Sequence, residues 1–429
     1  MPVHPGADRP VGRLLRLPLT GALLIALAAA CSSSPPAPTT TTTASSPSGP
    51  VTSAASPTGT TGAPSSTAPP TSSAPPSRSS VAPVPPVSPV PRRTATLTQE
   101  QLAGQRIIYS YPGLTPPAAL LQRIRAGEAA GVIFFGQNVS SDAQLRSAIA
   151  ELRRAQAQSP VHEPLLLMTD QEGGQIRRIP GAPVMSAKQI GATGNTSVAA
   201  SAGTDAARNL VGVGMNLNLA PVLDVYHSPG DFADSAQRSF SSNPSVVGSM
   251  GSAFLTAQQR GGVASTAKHF PGLGSAGRTQ NTDLEPVTLN EPLSTLRNVD
   301  EAPYPAAIAA GVKLIMLSWA VYPALDPAHP AGLSSTIVQQ ELRKRLGFTG
   351  VTITDALEAK ALTAFGTTSQ RAVAAAGAGM DLLLCSAQSV TQGETATTAL
   401  VNALNSGALD SAGFHAAADR VTALRAQLR

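Results

Sequence analysis

One stretch decides how the sequence is interpreted: residues 262–274 read GVASTAKHFPGLG. It begins as an apolar, β-like segment and changes at Lys268 and His269 into a loop rich in proline and glycine. In parallel α/β folds the ligand crevice lies beyond the carboxyl ends of the strands, so polar residues that follow a strand face the ligand. Alone, a Lys-His pair is at least as typical of a surface cation beside a core histidine. Its meaning depends on whether other strands end in the same way.

On both sides of this stretch, apolar runs of strand length alternate with segments of helical periodicity. This alternation is typical of repeated βα units around a parallel sheet. Eight runs match the number that a closed (β/α)8 barrel requires, and we predict such a TIM-like α/β barrel over residues 96–429. A doubly wound open sheet gives the same alternation and stays as the alternative. The runs are 106–109, 131–135, 164–168, 215–219, 263–266, 312–317, 350–354 and 380–384, and the clearest helical patterns are 141–156, 199–211, 244–260 and 336–346.

Polar residues gather at the carboxyl ends of four of these runs. Asp170 follows the third run, Asp224 the fourth, Lys268 and His269 the fifth, and Asp355 the seventh. Any one of them is compatible with a simple turn. Their recurrence at corresponding strand ends instead indicates one polar face, which on a barrel is an active site or a binding cup.

Composition excludes one broad class of function. Of the 429 residues, 13% are charged and only 3% are aromatic, and the formal net charge is +5. The sequence has no long basic run. Because phosphate-tracking stripes and stacking aromatics are both missing, nucleic-acid binding is not supported.

Residues 1–30 are typical of a signal peptide. Three arginines precede an uncharged apolar stretch over residues 17–30, which is short for a membrane span. The small residues before Cys31 resemble a lipobox, although Ala28 stands where an aliphatic residue is usual. We therefore expect cleavage before Cys31 and a lipid on it that holds the protein at the extracytoplasmic face of the cell membrane. Plain secretion and an uncleaved anchor are the alternatives.

Residues 31–95 follow as a Ser/Thr/Pro/Ala/Gly-rich segment with almost no charged or large apolar residue. Such a segment cannot bury enough surface to offset its ordering entropy, so we predict a disordered tether. The only cysteine besides Cys31 is Cys385, so no intrachain disulfide is expected in the mature domain.

The polar face restricts the chemistry. It offers carboxylates, a Lys-His pair and arginines, without a cysteine nucleophile, a phosphate loop or a metal cluster. Transfer of a glycosyl group to water fits this set best. A retaining glycosidase needs one ionised carboxylate to attack the anomeric carbon and a second group to protonate the leaving oxygen.

Several separated motifs carry a resemblance to a known family. Residues 101–385 resemble glycoside hydrolase family 3, in particular its single-domain bacterial β-N-acetylglucosaminidases, and the motifs occur in the family's order. No metal or organic cofactor is implied. The motifs are DQEGG at 170–174 with Arg177 and Arg178, APVLDV at 220–225, RSF at 238–240, KHFPG at 268–272 and GVTITDAL at 350–357.

The resemblance implies roles for individual residues. Asp355 corresponds to the nucleophile that forms a covalent glycosyl intermediate, with a helix N-cap as its structural alternative. Asp170 corresponds to the residue that grips two sugar hydroxyls. Asp224 is expected to support other site residues, and Glu172 is ambiguous. The rest of the implied sugar-binding shell is Arg178, Arg238, Lys268 and His269, and either arginine has a structural partnership with a neighbouring carboxylate as its alternative.

The sequence departs from the family pattern after KHFPG. The family carries Asp-Ser-His there, and its histidine, paired with the aspartate, is the acid/base. Residues 273–286 read LGSAGRTQNTDLEP, with no histidine. We favour Asp283 as the acid/base, because a carboxylic acid in a partly desolvated site can keep its proton at neutral pH. The alternatives are Glu285 in a shifted register, weak protonation that suits good leaving groups, or sugar binding without catalysis. The glycines of this loop also predict a flexible lid.

The sequence therefore predicts an exported retaining exo-β-N-acetylglucosaminidase. The family and the export signal together point to N-acetylglucosamine-containing glycans, in particular muropeptides from peptidoglycan, as its substrates. Another exo-β-glycosidase, such as a β-glucosidase, and a non-catalytic envelope protein that captures muropeptides are the rival interpretations.

Overall fold

The computed structural model describes Thr94 and residues 96–428. The predicted signal peptide, Cys31 and all of the predicted tether except Thr94 lie outside the described residues. Thr94 is buried, and its backbone N–H and its hydroxyl donate to the Asp419 carboxylate at 3.1 and 2.8 Å. This residue therefore belongs to the folded part rather than to a tether. Among the residues described, no helix is long and apolar enough to cross a membrane.

Eight parallel strands form a closed barrel in which neighbours along the chain are neighbours in the ring. The predicted barrel is confirmed, and closure excludes the doubly wound alternative, because Ile107 on the first strand pairs with Leu383 on the last. The strands are β1 (Ile107–Tyr109), β2 (Gly131–Ile133), β3 (Leu166–Thr169), β4 (Leu217–Asn218), β5 (Ala264–Phe270), β6 (Leu314–Leu317), β7 (Val351–Ala356) and β8 (Leu382–Leu384).

The apolar strand residues divide between two packed layers. In β6, Leu314 and Met316 belong to the cluster that fills the barrel, whereas Ile315 and Leu317 belong to the cluster between strands and helices. Successive side chains of a strand point to opposite faces, so a strand that is buried on both sides favours apolar residues on both. This explains why runs such as Leu314–Leu317 and Leu382–Leu384 are continuously apolar.

Two strands extend further than the sequence predicts. Strand β5 continues to Phe270 instead of ending at Thr266, since Phe270 pairs with Leu317 on β6. Strand β7 continues through Asp355 to Ala356 instead of ending at Thr354. The polar residues of these strands thus lie on the barrel itself rather than on flexible loops.

Helices cover the outside of the barrel. The predicted helix over 244–260 is confirmed with those bounds, and Asn243 caps it by accepting from the N–H of Ser245. The pattern at 336–346 forms a wider π-type helix, Thr336–Arg345. The α-helices are Gln99–Gly104, Ala118–Arg125, Asp142–Gln156, Ala187–Ala192, Thr196–Val213, Phe232–Ser235, Pro244–Arg260, Leu293–Thr295, Tyr304–Ala309, Thr368–Ala378, Val390–Asn405 and Ser411–Arg425, with a second π-type segment at Leu296–Asp300 and 3-10 turns at Gly136–Asn138, Ala331–Leu333 and Lys360–Phe365.

Two short antiparallel ribbons stand among the loops that follow the barrel strands. One pairs Gln171–Gly173 with Ile176–Arg177 directly after β3, and the other pairs Val321–Tyr322 with Asp326–Pro330 after β6. The first ribbon carries part of the polar face, because it follows Asp170 and includes Glu172.

Candidate active site

The polar strand ends converge on one cavity at the carboxyl end of the barrel, with a volume of about 480 Å³. Every predicted catalytic and sugar-binding residue lines it. The cavity also includes apolar residues from inside the barrel, such as Met316 and Leu384. These predicted residues are Asp170, Arg178, Arg238, Lys268, His269, Asp283 and Asp355.

A charged cluster occupies the side of the cavity formed by β3 and β5. The ammonium group of Lys268 lies 2.7 Å from Asp170 Oδ1 and 2.7 Å from Glu172 Oε1. Arg238 donates two hydrogen bonds to the Glu172 carboxylate, at 2.9 and 2.8 Å. Arg178 Nε lies 3.9 Å from Asp170 Oδ2. Arg238 is thus the partner of a neighbouring carboxylate as well as part of the cavity lining, and Glu172 is the residue that joins it to Lys268.

The residues of this cluster stay charged because each buried carboxylate lies beside a cation. Burial alone would raise the pKa of Glu172, but the charges and hydrogen bonds of Arg238 and Lys268 outweigh burial and hold the pKa far below its usual range. Burial would likewise lower the pKa of Lys268, yet the charges of Asp170 and Glu172 raise it. A fixed array of charged groups of this kind suits the hydroxyls of a sugar.

His269 is held by Asp224, as expected for a residue that supports others. Asp224 Oδ2 lies 2.7 Å from His269 Nδ1, and its Oδ1 accepts from the backbone N–H groups of His269 and Leu273 at 3.1 and 2.8 Å. Burial would raise the pKa of Asp224, but His269 and these N–H groups lower it. The Asp224 carboxylate therefore fixes the imidazole and the start of the following loop.

Asp355 extends from the opposite side of the ring, near the end of β7. Its Oδ1 accepts from the backbone N–H of Ala356 at 2.8 Å. The turn that follows is tightly held, since Trp319 Nε1 donates to the Ala356 carbonyl at 2.8 Å and Leu357 N–H donates to the Leu384 carbonyl at 3.0 Å. The carboxylate is partly exposed to the cavity, as a nucleophile must be.

Asp283 reaches the same cavity from a loop that is docked on the β7 side. Backbone N–H groups of Lys360 and Ala361 donate to the carbonyls of Asp283 and Thr282, at 3.1 and 3.0 Å. Although Asp283 is exposed at the mouth, desolvation at the cavity wall and then the charge of Asp355 raise the pKa of its carboxyl to about 6. Glu285, the alternative acid/base, is exposed and does not line this cavity.

The predicted glycine-rich lid is wrong for the first part of this loop. Residues 271–274 and Ala276 are buried, and the Ala276 carbonyl accepts from the N–H of Phe232 at 2.9 Å. A Cβ on Gly274 would come within 1.8 Å of the Val225 carbonyl oxygen. The glycine serves close packing against the chain after β4, and conformational freedom is not its function here.

One charged residue of the described cavity lining was not predicted. Glu358 lies three positions after Asp355, lines the cavity, and accepts hydrogen bonds from Ser386 and Gln392. A carboxylate just downstream of the predicted nucleophile was the available signal, but a strand-to-helix turn in sequence does not reveal which way its side chains point. Across residues 96–428, no group of three or more His, Cys, Asp or Glu residues is arranged to hold a metal ion.

Comparisons with known proteins agree with this geometry. The model of the glycosyl hydrolase family 3 N-terminal domain matches residues 104–424. A protein of Arthroderma benhamiae named as an uncharacterized secreted glycosyl hydrolase is 48% identical over 76% of this chain and 93% of its own. A β-hexosaminidase of Xanthomonas campestris is 32% identical over 65% of this chain and 86% of its own.

Solved structures give the same assignment. A family 3 β-N-acetylglucosaminidase from a Paenibacillus species is 32% identical with a TM-score of 0.73, and the match covers 77% of this chain and 62% of that longer protein. A β-N-acetylhexosaminidase from Beutenbergia cavernae is also 32% identical, with a TM-score of 0.70 over 77% of this chain and 99% of its own. The prediction of a glycoside hydrolase is confirmed: the chain belongs to glycoside hydrolase family 3.

Proposed function

We propose that this chain is a retaining exo-β-N-acetylglucosaminidase with Asp355 as nucleophile and Asp283 as acid/base. The observation that carries the proposal is the presence of both carboxyl groups in one cavity, with the pKa of Asp283 raised to about 6. A retaining mechanism requires one carboxylate as nucleophile and a second group that holds a proton for the leaving oxygen. The named hexosaminidase and acetylglucosaminidase relatives support the choice of glycone.

In the first step, an oxygen of Asp355 attacks the anomeric carbon while the bond from that carbon to the leaving oxygen breaks. The proton of Asp283 passes to the leaving oxygen, so the departing alcohol is neutral. A sugar that fills the cavity excludes water from the mouth, which strengthens the desolvation that keeps Asp283 protonated. In the second step, Asp283 takes a proton from water, the water oxygen attacks the anomeric carbon, and Asp355 is released.

The charged cluster around Lys268 is assigned to binding the sugar hydroxyls. Asp170 retains acceptor capacity beyond its contact with Lys268. Arg178 is partly exposed to the cavity and lies beside Asp170, where it can donate to a hydroxyl. Lys268 and Arg238 hold the carboxylates in place, so their removal is expected to weaken both binding and catalysis.

The test is hydrolysis of an aryl β-N-acetylglucosaminide, with the anomer of the released sugar followed by NMR. We expect turnover with the β-anomer appearing first. Asp355→Ala should lose at least about a thousandfold in kcat, because the covalent route is removed. Asp205→Ala, at an exposed surface pair with Arg208, is the matched control and should behave as wild type. Appearance of the α-anomer first, or full activity of Asp355→Ala, would contradict the proposal.

The natural substrates and location are part of the same proposal. We assign to the enzyme the removal of terminal N-acetylglucosamine from peptidoglycan fragments outside the cytoplasm, with a lipid on Cys31 as its membrane anchor. The secreted relative supports an extracytoplasmic location. Release of N-acetylglucosamine from purified muropeptides tests the substrate. Transfer of the Cys31→Ala protein from the membrane fraction to the medium tests the anchor, and an unchanged distribution would exclude it.

A further inference from the structure

Glu358 is a cavity carboxylate to which the proposed mechanism gives no role. It lies on the turn after β7, three positions beyond Asp355. Three donors orient it: the Ser386 hydroxyl reaches Oε1 at 2.6 Å, and the Ser386 backbone N–H and Gln392 Nε2 reach Oε2 at 3.3 and 3.0 Å. Its conformation is therefore fixed before any ligand arrives.

Glu358 differs from Glu172 in having no cation within ion-pair distance. Glu172 is paired with Lys268 and Arg238, whereas no lysine, arginine or histidine of the described residues forms an ion pair with Glu358, and Arg371 interacts with it only at longer range. A carboxylate has about four acceptor positions, two on each oxygen. Since Oε2 receives two donors and Oε1 only one, Oε1 keeps one acceptor position for a ligand.

The barrel determines which part of a sugar lies near Glu358. Strands β3 and β7 are four places apart in a ring of eight, so Asp170 and Asp355 stand on opposite sides of the cavity. A pyranose with its anomeric carbon at Asp355 therefore directs its distant hydroxyls towards Asp170. The groups left on the β7 side are the leaving oxygen and the substituent on C2.

Asp283 accounts for the leaving oxygen in the proposed mechanism, which leaves the C2 substituent for Glu358. Two residues close to Glu358 in the chain, Ala356 and Ala359, also line the cavity, and both have small side chains. Small residues leave room for a substituent larger than a hydroxyl. An acetamido group presents one N–H donor there, and an anchored carboxylate oxygen is a suitable acceptor for it.

We propose that Glu358 determines specificity for the glycone by accepting a hydrogen bond from the amide N–H of a 2-acetamido group through Oε1. The inference rests on the proposed function, because it places the anomeric carbon at Asp355. It assigns to Glu358 a direct contact with the substrate and no part in proton transfer.

The substitution Glu358→Gln tests this sharply because of the way the side chain is anchored. The amide oxygen can take the place of Oε2 and accept from Ser386 N–H and Gln392, and the amide nitrogen then occupies the place of Oε1 and donates to the Ser386 hydroxyl. The ligand-facing acceptor becomes a donor with almost no change in shape. Glu394→Gln is the matched control: it makes the same change on the helix that carries Gln392, at a carboxylate paired with Arg123 outside the cavity.

The measurement compares wild type and variant with two ligands that differ only in whether C2 carries the acetamido group. kcat/KM is compared for aryl β-N-acetylglucosaminide and aryl 2-deoxy-β-glucoside, and calorimetry compares binding of N-acetylglucosamine and 2-deoxyglucose. We expect Glu358→Gln to lower the preference for the acetamido ligand at least about tenfold in both readouts, as for a buried N–H left without an acceptor. The control should keep the wild-type preference, and thermal unfolding should show that both variants fold.

Two results would overturn the inference while the proposed function stands: an unchanged preference in Glu358→Gln, or a loss that is equal for both glycones and varies with the leaving group. The second would place Glu358 against the leaving group. If wild type turns over neither glycoside, the proposed function fails, and the binding arm still decides the inference.

Discussion

At the scale of single residues, the carboxyl groups in and behind this cavity differ because their neighbours differ. Glu172 and Asp224 are buried but matched by cations or N–H donors, which lower their pKa values. Asp283 is desolvated and faces the negative charge of Asp355, so its pKa is raised to about 6, while His269 and Arg238 act in the opposite direction and Glu358 adds a small upward effect. The proposed division between carboxylates that bind the sugar and one carboxylic acid that gives a proton rests on this difference in pKa.

The raised pKa predicts the alkaline side of the pH profile. An ordinary aspartate, with a pKa of about 3.9, is ionised throughout the neutral range. Asp283 should instead be mostly protonated below pH 6 and lose its proton as the pH rises through about 6. For substrates with poor leaving groups, kcat/KM should therefore fall above that pH, because kcat/KM reports ionisation in the free enzyme. Steady-state rates between pH 4 and 9 check this expectation.

Asp283→Ala should lack this alkaline limb, whereas Glu285→Gln, an exposed carboxylate on the same loop, should keep it. A limb that survives in Asp283→Ala would assign the proton to another group.

At the scale of elements, the loop over residues 271–285 has two parts with different structures. Its first part is packed under the chain that follows β4, and its last part is docked on the turn after β7 by the backbone N–H groups of Lys360 and Ala361. Glycine-rich composition alone does not distinguish a loop that must move from a loop that must pack closely. The distinction depends on what lies beside each Cα, and that is a property of tertiary structure.

Two glycine substitutions separate these interpretations. Gly274→Ala would place a methyl group 1.8 Å from the Val225 carbonyl oxygen, so we expect a loss of about 1–3 kcal/mol in the free energy of unfolding, together with reduced activity. Gly277→Ala is the matched control, because its nearest neighbour is 3.5 Å away and belongs to the flexible side chain of Gln280. Denaturant titration of both proteins measures the difference. Equal stability of the two would mean that the loop is not packed as described.

The strands and helices could largely be predicted from the sequence, but the contacts between them could not. Continuous apolar runs and turn residues predicted eight strands, and polar strand ends predicted the side of the barrel that carries Asp170, Lys268 and Asp355. The sequence could not show that β5 continues through His269, because the pairing of Phe270 with β6 is a long-range contact. Glu358 was missed because its direction depends on Ser386 and Gln392, which are also distant in the sequence.

At the scale of the whole molecule, the described lining of the cavity belongs to the barrel. The residues that line it lie between Ile133 and Gln388, and every barrel strand lies between Ile107 and Leu384. Thr94 forms side-chain hydrogen bonds with Asp419 and His415, which lie on the last helix, Ser411–Arg425.

A chain that begins at Thr94 should therefore match the full chain in thermal stability and in kcat/KM on soluble substrates. A chain that begins at Gln99 is the informative comparison, because it lacks the bonds of Thr94 and the Thr98 cap of the first helix. We expect it to lose about 1–2 kcal/mol in the free energy of unfolding, as for the loss of an N-cap and a buried hydrogen bond. Loss of activity on starting at Thr94 would show that earlier residues contribute to the site.

In the proposed mechanism, Asp283 replaces the family's histidine as the acid that protonates the leaving group. The most direct test is a series of aryl β-N-acetylglucosaminides whose phenols span a range of pKa values, with kcat/KM measured for wild type and Asp283→Ala. We expect kcat/KM to depend weakly on phenol pKa in wild type and steeply in the variant, which should lose about a hundredfold or more on the poorest leaving groups and little on the best. Parallel lines for the two proteins would contradict it, because a residue that only shapes the cavity would slow every substrate alike.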